Sequence, residues 1–107
     1  MSSDNQSFRL ERSAGTLRIE ATGNLVASSV EGQRDFFLDA LKTPENEVVL
    51  NLSATELVDS LGITLILGLF KSCQKSAIKF QVDGVSPCIM RVFRLFNLPK
   101  LFPVSSR

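Results

Sequence analysis

Val48, Val49, Leu50 and Leu52 form a short apolar run, and a few residues later Asp59-Ser60-Leu61-Gly62 opens a second apolar stretch reaching Gln74. The first run has strand length and β-branched residues, and its lack of alternation predicts a central strand covered on both faces. The second is too long for a strand. At 100° per residue, Ile63, Ile66, Leu69, Phe70 and Cys73 centre on one broad helical face, while Thr64, Gly68 and Lys71 share a narrower one that begins at Ser60. A buried strand leading into a long helix is half of a crossover unit, which commits the chain to a parallel sheet with right-handed connections.

The flanking segments extend this plan. Phe8 and Leu10 alternate with charged residues, Ala14-Gly15 supplies a turn, and Leu17, Ile19 and Ala21 alternate with Arg18, Glu20 and Thr22, as in a hairpin. Gly23 and Asn24 break that pattern. Ser28 and Ser29 offer a cap for a helix running to about Lys42, with Val30, Phe37, Leu38 and Leu41 on one side, Phe36 pointing away and Pro44 closing it. Lys79 to Val82 reads as a strand and Asp83-Gly84 as a turn. Ser86-Pro87 starts another helix with the stripe Ile89, Val92, Phe93 and Phe96, leaving Arg91 and Arg94 on a solvated side. Asn97 and Pro99 end it, and Leu101, Phe102 and Val104 predict a last short strand. The expected fold is α/β: a single domain over residues 7–107, after a polar leader at 1–6, with a mixed, mostly parallel sheet of about four to five strands covered by three or more helices.

Composition removes several function classes. With 107 residues the chain fits one domain, and 12 basic against 11 acidic residues leave little overall attraction for nucleic acid. There is no histidine, and Cys73 and Cys88 lie fifteen residues apart without a paired motif, so no metal, cofactor or catalytic residue is expected. Both cysteines fall in apolar helical patterns and are expected to be reduced and buried. No apolar run reaches the roughly 18 to 20 residues of a membrane span, and the leader lacks an apolar core. The expectation is a cytoplasmic monomer without membrane insertion, and not an enzyme: Asp59 beside Ser60 lacks a base to activate a nucleophile.

Ser60 is the candidate regulated site. The first amides of a helix have no intrahelical partner and carry partial positive charge. Asp59 or Ser60 can cap the helix there. A phosphate on Ser60 would add roughly two negative charges beside those donors without unfolding anything. Leu61 and Leu67 flank the narrow face and leave apolar surface next to it, so Ser60, Leu61, Thr64 and Lys71 form a candidate docking face. Neither glycine-rich nucleotide signature is present, which argues against a nucleotide sensor.

The ordered set Gly23-x-Leu25, Val48-Val49-Leu50-Asn51-Leu52-Ser53, Asp59-Ser60-x-Gly62, Val85-Ser86-Pro87 with Arg91-x-Phe93, then Leu98 and Phe102, resembles the STAS domain. Within that family it looks most like the stand-alone anti-sigma factor antagonists. The resemblance implies a two-state binding module that, when unphosphorylated at Ser60, engages an ATP-binding serine kinase acting as an anti-sigma factor. That kinase would phosphorylate Ser60, and a metal-dependent serine phosphatase would reset it. It further implies a partner surface of Asn24, Asp59, Ser60, Leu61, Gly62, Thr64 and Lys71. The chain departs from the common pattern at Val26, where many members carry Asp, at Leu61, where a second serine is common, and at Asn51, where Asp is frequent. It also stops soon after the last strand. Short STAS subunits that bind the ATPase of lipid-transport ABC systems share that compact ending, and they imply an alternative: constitutive docking on the same helix face without phosphorylation.

Overall fold

The computed structural model describes residues 7–42 and 45–107. In chain order the elements are β1 (Phe8–Ser13), β2 (Thr16–Ala21), α1 (Ala27–Val30), α2 (Gln33–Ala40), β3 (Glu47–Asn51), α3 (Ser60–Lys75), β4 (Lys79–Val85), α4 (Pro87–Leu95), a 3-10 turn (Leu98–Lys100) and β5 (Val104–Ser106). They build one five-stranded sheet in the order β1-β2-β3-β4-β5. β1 and β2 pair antiparallel, and every later pair is parallel.

That order decides where the helices lie. Each crossover moves the chain one strand in the same direction, so right-handed connections put all the helices on one face. Leu17, Val48 and Phe80 form one row across that face, and Ile19, Leu50 and Val82 form the next. Ile63, Ile66, Leu69 and Cys73 of α3 and Ile89 and Phe93 of α4 pack onto these rows as a single core. The opposite face carries Arg18, Val49 and Gln81 in one row and Glu20, Asn51 and Asp83 in the next, with an Arg9–Glu20 ion pair at 3.7 Å. β3 is therefore not sandwiched between helices as its unbroken apolar run predicts. Val49 is buried but stands outside the core, between strands whose neighbouring side chains are long and polar.

Several other expectations change. The helix expected from Ser28 to Lys42 is two helices, because Gly32 takes φ +79° and a helix cannot continue through that left-handed conformation. Neither Ser28 nor Ser29 is its N-cap. Val26 holds the cap position, and Ser29 in the first turn instead accepts a hydrogen bond from the Val26 amide at 3.0 Å. Leu38 faces solvent, 41% exposed, while Phe36 is half-buried against Phe8 and Phe37. Pro44 and the leader lie outside the described residues.

Asp83-Gly84 is not a turn but the bulged end of β4. Gly84 sits at φ +75°, and a Cβ there would lie 2.2 Å from the Ser53 hydroxyl oxygen. Its absence lets the loop after β3 pass against β4. Cys73 is buried as expected, whereas Cys88 is exposed, because it lies on the outer side of α4 away from Ile89 and Phe93. The last strand begins at Val104, since Leu101 and Phe102 still follow the 3-10 turn, their amides bonded to the Leu98 carbonyl at 2.9 and 3.2 Å.

Candidate functional site

Two loops meet at the carboxyl end of the sheet: residues 22–26 after β2 and residues 52–59 after β3. Leu25 and Val58 form an isolated parallel bridge, with the Leu25 amide donating to Leu57 O at 2.9 Å and the Asp59 amide donating to Leu25 O at 3.0 Å. Asn24 secures the same contact from its side chain. Its Oδ1 accepts from the amides of Glu56 at 3.0 Å and Leu57 at 3.1 Å. The buried Thr55 hydroxyl donates to Gly23 O at 2.7 Å, and the Arg107 guanidinium donates to Ser53 O at 2.7 Å and Thr55 O at 3.1 Å. Backbone groups that a loop would otherwise leave to water are thus spoken for, and the segment leading into α3 is held from both sides.

Asp59 is the N-cap of α3. Its Oδ1 accepts from the Gly62 amide at 2.9 Å, and its Oδ2 accepts from the Ala27 amide at 2.9 Å, so one carboxylate ties the start of α3 to the start of α1. The Gly62 amide is the main cause that holds this carboxyl below the usual aspartate value, with the Ala27 amide adding to it. Gly62 is buried where α3 touches the first loop: a Cβ there would meet Leu25 O at 2.2 Å and Val58 Cγ1 at 2.9 Å.

With Asp59 serving as the cap, Ser60 occupies the first helical position and is exposed. Its carbonyl accepts from the Thr64 hydroxyl at 2.9 Å, and its own hydroxyl makes no hydrogen bond among the described residues. Leu61 and Leu57 flank it, 51% and 55% exposed. Thr64, Gly68 and Lys71 continue the exposed face along α3.

The residues singled out from the sequence therefore divide by position. Ser60, Leu61 and Thr64 form a contiguous surface at the start of α3, and Lys71 extends it two to three turns along the helix. Gly62 is buried beneath that surface, the half-buried Asp59 and the exposed Asn24 border it, and the contacts of all three fix its shape. Leu57, Thr55 and Arg107 were not foreseen, and Ser29, expected as a helix cap, instead accepts from the Val26 amide beside the site. Thr55 and Arg107 carry no local signal, because their contacts join residues distant in sequence.

The mostly parallel sheet, the one-sided helix layer and the doubly anchored helix start define a small α/β module that presents a helix N-terminus at the carboxyl end of its strands. The chain belongs to the STAS domain family, which matches residues 7–107. Its fold is similar to that of a candidate anti-sigma factor antagonist from Thermotoga maritima, at 20% identity and a TM-score of 0.87, covering 95% of this chain and 88% of that one. It is similar to the Bacillus cell fate determinant SpoIIAA in its phosphorylated form, at 24% identity and 0.71, covering 94% and 92%. It is also similar to a sulfate transporter family protein from Wolinella succinogenes, at 16% identity and 0.78, covering 89% and 80%. Among the described residues no helix is long and apolar enough to cross a membrane, and no group of metal-ligating side chains occurs.

Proposed function

We propose that this protein is a phosphorylation-controlled partner-switching module of the anti-sigma factor antagonist type, without enzymatic activity of its own. Unphosphorylated, it binds and sequesters an anti-sigma factor that is also an ATP-binding serine kinase. The kinase phosphorylates Ser60, the complex weakens, and a metal-dependent serine phosphatase restores the starting state. ATP and metal belong to those partners.

The observation that carries this reading is the division of labour between Asp59 and Ser60. Asp59 already caps α3, so the Ser60 hydroxyl is exposed and free of structural duty. A phosphate at that position lies beside the positive end of a 16-residue helix, where the fold tolerates it. In a complex it would be a dianion buried against a partner across Leu57, Leu61 and Thr64. Leaving an interfacial charge unpaired costs about 2 to 5 kcal/mol, which weakens binding by roughly 30-fold to several thousand-fold.

The test is intact-mass analysis of the protein from its own cells, with peptide mapping across residues 57–71, alongside partner capture with Ser60→Ala and Ser60→Asp. Phosphate on Ser60, constitutive capture by Ser60→Ala and loss of capture by Ser60→Asp are expected. Equal capture by both variants would replace the switch with constitutive docking, as in an ABC transporter subunit.

A further inference from the structure

The near-zero net charge conceals a strong segregation. Residues 1–59 hold ten of the 11 acidic and five of the 12 basic residues, whereas residues 60–107 hold seven basic residues and a single acidic one, Asp83. Because the sheet runs in sequence order, this split is spatial: the edge made by β4, β5 and α4 belongs to the basic half of the molecule.

The same edge exposes large apolar side chains. On α4, Arg91, Arg94 and Leu95 lie opposite the buried Ile89 and Phe93. Leu95 is 77% exposed, and Phe96 and Leu101 are each 50% exposed on either side of the 3-10 turn that carries Lys100. Leu101 also lines a groove with Phe70, Phe80, Phe102 and Lys79, where Glu47 is the acidic neighbour. Among the described residues, Arg91, Arg94, Lys79 and Lys100 make no ion pair.

We propose that the last turn of α4 and the 3-10 turn form a peripheral binding surface for an anionic lipid bilayer. Cations that make no ion pair alternate here with protruding leucine and phenylalanine side chains, Lys79 alone facing an acidic neighbour in Glu47, and this is the combination that places guanidinium and ammonium groups at lipid headgroups and apolar groups just beneath them. Four basic residues are enough for headgroup attraction, and Leu95 stands too clear of its neighbours to be reading a peptide in a pocket. Nucleic acid would set Leu95, Phe96 and Leu101 against phosphates and leave them without apolar contact. Phe70 and Gln74 line the groove, and Gln74 is about 21 Å along α3 from Ser60, so a bilayer-bound molecule keeps Ser60 and the first turn of α3 free.

The experiment is co-sedimentation of the full chain with phosphatidylcholine vesicles, with and without about one-third phosphatidylglycerol. Binding to the anionic vesicles alone, weakened by added salt, is expected. Arg94→Gln with Lys100→Gln should reduce it on the order of 25-fold, taking about fivefold per charge. Leu95→Ser, a change at an exposed position with an unaltered thermal melt, should also reduce it, and Ser60→Asp should leave it unchanged. Absence of binding to anionic vesicles overturns the proposal. So does binding that Leu95→Ser leaves intact and that duplex DNA competes away, because that would mark a general polyanion site.

Discussion

The α-carbon of Gly62 packs against the carbonyl of Leu25, and a Cβ at residue 62 would lie 2.2 Å from that oxygen. The same carbonyl accepts the Asp59 amide at 3.0 Å, so it cannot retreat without breaking the loop-to-loop junction. The small residue two places after Ser60 is thus what allows α3 to begin so close to the loop after β2. The spacing Asp59-Ser60-x-Gly62 follows from this contact: cap, exposed hydroxyl, outward side chain, close approach.

Gly62→Ala is expected to destabilise the protein by about 1 to 3 kcal/mol, the usual cost of forcing a methyl into a filled site. Gly68→Ala is the matched control. A Cβ at Gly68 meets nothing within 4 Å, so that change should stabilise α3 by roughly 0.5 to 1 kcal/mol. Urea titration of the two variants should give midpoints shifted in opposite directions, and equal shifts would contradict the packing argument.

The contrast between these glycines also shows what could be read before the fold was known. The strand and helix content, the hairpin, the Ser86 cap with Pro87 behind it and the buried face of α3 follow from local periodicity and capping chemistry. The break at Gly32 did not, because a glycine within a helical pattern signals a stop only once its φ is known. The apolar run in β3 pointed to two covered faces, but Val49 is shielded by its sheet neighbours, which the run itself does not disclose. Ser60 and its exposed neighbours were legible as a helix start, whereas the anchors from Thr55 and Arg107 join residues 32 and 52 to 54 positions apart and have no sequence signature.

Asp59 links the site to pH. Its carboxyl titrates below the usual aspartate value in the folded protein, so the unfolded chain, near 3.9, takes up the proton first. The stability it contributes is present above about pH 4 and is lost as pH falls through the lower folded value. Asp59→Asn should flatten this part of the acid limb in a series of thermal melts. If the acid limb of the variant superimposes on that of the wild type, the Gly62 and Ala27 amides are not what holds the carboxylate.

The two thiols should differ sharply in reactivity. Burial pushes the Cys73 thiol up to about 11, whereas Cys88 lies exposed on α4. At about pH 8 a disulfide reagent should modify one thiol per chain in native buffer and two in denaturant, since the thiolate is the attacking species. Peptide mapping should place the native adduct on Cys88; modification of Cys73 at a comparable rate would mean that α3 opens far more readily than its packing indicates.

Arg107 connects the end of β5 to the loop that presents Ser60. Its amide donates to Val85 O at 3.0 Å, fixing the backbone beside β4, while its guanidinium spans the carbonyls of Ser53 and Thr55. Those two carbonyls precede the segment held by Asn24, so the guanidinium and Asn24 restrain successive parts of one loop. Arg107→Ala is expected to cost only about 1 kcal/mol overall, because the side chain is exposed and water can replace it at the carbonyls. Its effect should be local. Hydrogen exchange at Thr55, Glu56 and Leu57 should accelerate, with the amides of β2 and β3 unchanged, and Arg107→Lys should restore part of the protection through a single remaining donor group. Uniform acceleration across the sheet would instead assign Arg107 to global stability and detach it from the Ser60 loop.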